Sequence, residues 1–117
     1  NNLKFEKRNL IEAIKDYDIF FMDYYSTAFS LICASNKPIV FFDLGLNNLN
    51  KETFLDLKNR VSYNKINFNL DLNVQIDSAI KKYTNSKKKY KNTYTPKYSL
   101  NKENQFKSLL NLLSDLT

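Results

Sequence analysis

"IFFMDYYSTAFSLICASNKPIVFFDLG", residues 19–45, decides the fold. It opens and closes on continuous apolar runs, Ile19 to Met22 and Ile39 to Phe42. Unbroken rather than alternating hydrophobicity predicts strands covered on both faces, as in the middle of a parallel sheet. Pro38 stands directly before the second run, where it can begin a strand that it would break internally. The residues between the runs are too many for a hairpin and enough for a crossover with one helix. Ala28, Phe29, Leu31, Ile32 and Ala34 make that helix apolar nearly all round, so the unit is strand, buried helix, strand, with the right-handed hand of such crossovers. The polar stretch Asp23-Tyr24-Tyr25-Ser26-Thr27 interrupts this unit where the first strand passes into the helix.

Upstream, Asn9 and Glu12 have capping-box spacing, and Leu10, Ile11 and Ile14 form the stripe of a helix over Leu10 to Asp16. Downstream, Gly45, the only glycine, suits a sharp exit with positive φ. Asn47 to Asn50 read as a loop and Lys51 to Asn59 as a helix. A short strand is expected at Ile66 to Phe68. A further helix follows, capped by Asp71 or Asn73, with Ile76, Ala79, Ile80 and Tyr83 on one side. Thr84 to Asn101 is polar and basic and reads as irregular surface. A last helix carries Phe106, Leu109, Leu110, Leu113 and Leu116 on one side, which a sheet or a neighbouring domain must bury. The expectation is one α/β domain over residues 1–117, a Rossmann-like parallel sheet with flanking helices. A chain opening on Asn1-Asn2 reads as a fragment of a longer two-domain protein.

Composition narrows the chemistry. With 43% hydrophobic and 15% aromatic residues in 117, the chain has the makings of a packed core. No apolar run reaches the 18 residues of a membrane span, and the N-terminus lacks the layout of a signal peptide; the expected location is cytoplasmic. There is no histidine and one cysteine, so no zinc ligand set, Cys-His pair or internal disulfide is expected, and Cys33 reads as a small buried hydrophobe. No metal and no cofactor are expected. The formal charge of +6, from 18 basic and 12 acidic residues, favours anionic partners.

In open α/β sheets ligands lie beyond the carboxyl ends of the strands, which is where Asp23 to Thr27 stand. Free amides and the dipole at the start of the following helix suit phosphate, and the Ser26 and Thr27 hydroxyls can add hydrogen bonds. The competing reading makes Ser26 or Thr27 an ordinary N-cap. No glycine-rich phosphate loop or dinucleotide fingerprint is present. Asp23 at a strand end also resembles the phosphoacceptor of receiver domains, but the turn and the acidic pair that accompany it there are absent.

The string "DYDIFFMDYYSTAFSLICASNKPIVFFDLG", Asp16 to Gly45, resembles the C-terminal donor-binding half of GT-B glycosyltransferases, especially CDP-glycerol glycerophosphotransferases and surface or capsular polysaccharide transferases. The matching positions are Asp23, Tyr24 or Tyr25, Ser26, Thr27, Phe29, Lys37, Pro38 and Asp43, and "LKNRVSYN", Leu57 to Asn64, is similar to an Arg-Val stretch in some of them. The resemblance implies that Ser26 and Thr27 face the donor phosphates, and that Asp23, Tyr24 and Tyr25 shape the turn or touch the donor. It implies a nucleotide-activated donor, a lipid-linked or polymer acceptor, and contact with the inner face of the membrane through basic surface. The histidines and the acceptor-binding half of such enzymes are absent, so no catalytic residue is assigned and the chain alone is expected to be inactive. Two other readings remain: a non-catalytic α/β domain binding a nucleotide or partner, and a nucleic-acid module in which Tyr90, Tyr94 and Tyr98 stack on bases among Lys87 to Lys91. Nucleic acid is the less expected partner because tyrosine is abundant throughout.

Overall fold

The computed structural model describes residues 3–46, 48–86 and 94. Seven elements follow in order: α1 (Leu10–Ile14), β1 (Phe20–Met22), α2 (Thr27–Ala34), β2 (Ile39–Asp43), α3 (Lys51–Arg60), β3 (Ser62–Lys65) and α4 (Leu72–Asn85). The strands form one parallel sheet in the order β1-β2-β3. The expected α/β architecture is therefore present, a parallel sheet flanked by helices.

Local chemistry explains where the helices begin. Asn9, Ser26, Asn50 and Asp71 each accept a hydrogen bond from the backbone N–H three residues on, satisfying one of the amides that a helix start leaves free. Asp71, rather than Asn73, caps α4. That helix runs to Asn85, so Thr84 and Asn85 belong to it rather than to an irregular segment.

Side chains alternate across the sheet. On the first face Ile39, Phe41 and Tyr63 meet Ile14 of α1, Phe29, Ile32 and Cys33 of α2, Leu57 of α3, and Tyr94. Phe29 and Phe41 are almost wholly buried, with their rings edge to face at 5.5 Å. Each such side chain contributes about 1.5–3 kcal/mol by burial. On the second face α4 packs against β2 and β3, with Ala79 buried beneath it.

Three expectations need correction. Among the described residues β1 is an edge strand, and Phe21 is 51% exposed; α4 packs chiefly against β2 and β3, so the Phe21 ring is covered only in part, by Phe42 stacked on it at 6.3 Å. The third strand lies at Ser62–Lys65, not Ile66 to Phe68. The reason is that Val61 leaves α3 in extended conformation and enters the core, so pairing with β2 begins at once and only Ile66 extends it, through a bond to Asp43 O at 2.9 Å. Tyr94, read as surface, is 7% exposed and packs edge-on against Phe29 at 5.4 Å. Lys87 to Lys91, Tyr90, Tyr98 and the helix expected around residues 106–116 lie outside the described residues.

Candidate functional site

The turn after β1 carries all five sequence-predicted site residues, and the fold distributes them. Asp23 lines an apolar groove of about 280 Å³ on the second face, with Phe42, Leu44, Ile66, Phe68, Leu72 and Ile76. Tyr24 is 49% exposed. Tyr25 turns to the other side, stacks on Phe41 at 4.8 Å and meets Phe29 edge-on at 5.5 Å. Ser26 is exposed, and its Oγ accepts from Phe29 N at 3.3 Å. Thr27, also exposed, is the first residue of α2. The N-cap reading of Ser26 is thus realised, and the hydroxyl stands at an open helix start beside the sheet's carboxyl end.

A polar cleft of about 310 Å³ opens at that carboxyl end. Its walls bring together Tyr25, Asp43 at the end of β2, Tyr63 and Lys65 of β3, and Asn48 and Phe54 from the connection between them. The geometry of Asp43 is fixed from two sides. Gly45 N donates to Oδ1 at 2.8 Å, and the Tyr63 hydroxyl donates to Oδ2. Gly45 has φ +77°, as anticipated, and this left-handed turn aims its N–H back at the carboxylate. Tyr63 is itself steadied by Phe54, edge-on at 5.0 Å, and by the Lys58 ammonium 5.8 Å from its ring centre.

Burial, then the bond to Asp43, raises the Tyr63 hydroxyl above the ordinary phenol range. Burial first, then the neighbouring Asp43 charge, does the same for Tyr25. Both phenols therefore stay protonated at neutral pH and remain donors. Lys65 sits across from Asp43 in the β2–β3 register and lines the cleft; among the described residues it forms no ion pair.

Several residues singled out by the family resemblance have structural work instead. Lys37 Nζ donates to Ile14 O and to Tyr17 O at 2.7 Å, tying the end of α1 to the entry of β2. Arg60, 2% exposed, donates to Ile32 O at 3.1 Å, Cys33 O at 3.1 and 3.2 Å, and Lys37 O at 2.8 Å. It closes the carboxyl end of α2, where a cation also complements the helix dipole. Lys82 donates to Tyr63 O and Asn64 Oδ1, which anchors α4 to β3; Lys81 is exposed.

Asp43 enters the sequence-based expectations only as a matching acid, and the cleft residues Tyr63 and Lys65 are not among the predicted site residues. A usable signal was present: alternate positions Val61, Tyr63 and Lys65 share one face of a strand. No helix among the described residues is long and apolar enough to cross a membrane. No family model matches the chain, and neither a curated protein nor a solved structure matches it.

Proposed function

We propose that this chain forms the donor-binding part of a GT-B-like glycosyltransferase or glycerophosphotransferase in surface polysaccharide or teichoic-acid-like polymer synthesis. The observation that carries the reading is the cleft at the carboxyl ends of β2 and β3, one residue from an open helix start. Tyr25 forms a wall of the cleft, and Ser26 caps α2 next to it. Beyond the strand ends of a parallel sheet is where ligands bind in such folds. The α2 amides and the hydroxyls of Ser26 and Thr27 hold the donor's phosphates, and Tyr25 holds the adjoining part of the molecule. During transfer the same amides stabilise charge gathering on the departing nucleotide. The acceptor is lipid-linked or polymeric, and basic surface brings the enzyme to the inner face of the membrane.

The test is a thermal-shift panel of CDP-, UDP- and GDP-linked donors and CMP on the full-length protein. A bound donor raises Tm in proportion to the logarithm of its concentration over Kd, and the rise is expected to disappear in Ser26→Ala/Thr27→Ala. Equal shifts in wild type and double variant would remove these hydroxyls from the site. Residues 1–117 alone are expected to catalyse no transfer; measurable turnover by them would overturn the two-part enzyme.

A second reading, a non-catalytic nucleotide- or partner-binding domain, is favoured by the groove on the second face. Phe68, Leu72 and Ile76 there are 64%, 45% and 40% exposed. Absence of any nucleotide-induced shift would favour it.

A further inference from the structure

We infer that Tyr94 is a positioning residue of the ligand site: its ring holds Phe29 and Tyr25 so that the cleft wall and the amides at the start of α2 meet a ligand together. This rests on the reading of that helix start as part of a donor site, and it adds a residue from far downstream in the chain.

Phe29 has three aromatic neighbours. Tyr25 meets its ring edge-on at 5.5 Å and 89°, Phe41 at 5.5 Å and 70°, and Tyr94 at 5.4 Å and 88°. Phe29 is fully buried and Tyr94 is 7% exposed, so close packing resists a change of rotamer at either. The backbone of Phe29 is also the one that the cap uses. Its N–H donates to Ser26 Oγ at 3.3 Å, and the next amide, Ser30 N, donates to Ser26 O at 3.1 Å. A side chain held in one rotamer restrains the backbone that carries it. The pose of the Phe29 ring therefore governs where the exposed first turn of α2 points.

Tyr25 takes its place from the same cluster. It stacks on Phe41 at 4.8 Å and rests against Phe29, and it also lines the polar cleft with Asp43 and Tyr63. Its hydroxyl is raised by burial first, then by Asp43, Tyr63 and Tyr94, so the Tyr94 phenol belongs to its electrostatic surroundings. Removing the Tyr94 ring opens a space beside Phe29 into which Phe29 can turn, and Tyr25 then loses its edge-on partner. The cleft wall and the helix start would both have to be ordered by the ligand, which weakens binding.

The test compares Tyr94→Ala, Tyr94→Phe and Ile32→Val in the full-length protein. Ile32 belongs to the same core at the closed end of α2, so Ile32→Val reports loss of packing alone. Two quantities are read: affinity for CDP-, UDP- and GDP-linked donors and CMP by calorimetry, below the Tm of every variant, and hydrogen exchange of α2 amides by NMR. Tyr94→Ala is expected to weaken affinity roughly fivefold to tenfold. It is also expected to speed exchange at Phe29 and Ser30 while Ser35, whose N–H donates to Leu31 O at 3.2 Å, stays protected. Tyr94→Phe, which keeps the ring against Phe29, and Ile32→Val are expected to stay within about twofold of wild-type affinity.

Wild-type binding that Tyr94→Ala leaves unchanged overturns this inference and leaves the donor-site reading standing. So does a loss of affinity matched by Ile32→Val, with Phe29, Ser30 and Ser35 exchanging faster together, because Tyr94 would then only stabilise the fold. Where Tyr94→Ala does not fold, Tyr94→Leu decides, since it fills volume without an aromatic edge: binding several-fold weaker than in Tyr94→Phe supports the inference, and equal binding overturns it. No binding of any donor to the wild type overturns both readings.

Discussion

The two ends of α2 meet opposite fates. Its carboxyl end is closed: Arg60 spans the carbonyls of Ile32 and Cys33 and reaches Lys37 O, Ser35 Oγ donates to Ile32 O at 2.6 Å, and Asn36 reverses the chain at φ +60°. Its amino end has one side-chain cap, the Ser26 Oγ on Phe29 N, and stays exposed. A helix so apolar must be buried along its length, and both ends then need partners for backbone groups that the helix cannot satisfy itself. At one end the protein supplies them from its interior. At the other a ligand has room to do so.

The sharpest break of this contrast is at Arg60. Arg60→Ala removes a buried guanidinium and leaves three buried or half-buried carbonyls short of donors, with an expected loss of about 3–5 kcal/mol in urea unfolding. Arg60→Lys is expected to recover only part of it, since an ammonium cannot reproduce the planar fork. Loss below about 1 kcal/mol in the Ala variant would show that the closed end is closed by something else.

The second effect is pH-dependent. Burial pushes the Cys33 thiol up to about 12 from 9.0, against the opposing pull of the Arg60 charge. The thiol is neutral when protonated, and its folded-state pKa lies above the unfolded one. Its contribution is therefore complete below pH 9 and is lost as pH climbs toward 12. Cys33→Ala is expected to flatten the fall in stability across that window by roughly a few kcal/mol at its upper end; identical pH slopes in the two proteins would contradict the burial account.

At the open end, Ser26→Ala removes the cap and is expected to cost about 1 kcal/mol. Ser26→Asp sharpens the comparison because it keeps the cap and favours the dipole while placing a negative charge where a phosphate would sit. Near-wild-type stability with loss of nucleotide-induced shift is the expected pair of results. An unchanged ligand shift would mean that the open end is only a cap. The smallest effect belongs to Asn36, where Asn36→Gly is expected to change stability by no more than about 0.5 kcal/mol and Asn36→Ala to cost about 1 kcal/mol.

How much of this was legible depends on how far apart the partners are in the chain. The caps at Asn9, Ser26 and Asn50 lie three residues from their targets and can be read locally. Arg60 and its carbonyls stand 23 to 28 residues apart, and Asp43 and Tyr63 stand 20 apart; no periodicity announces such pairs. "LKNRVSYN" therefore yielded a helix end and no strand, although it contains both the residue that locks α2 and the one that holds Asp43.

The amino-acid order by itself determined a strand–helix–strand unit with a polar turn, because continuous apolar runs, a crossover-length spacer and local caps each act within a few residues. Folding decided which face each turn residue serves, sending Asp23 to an apolar groove and Tyr25 to a polar cleft. It also decided that Asp43, Tyr63 and Lys65 share that cleft, since parallel register joins positions that only the folded sheet brings together.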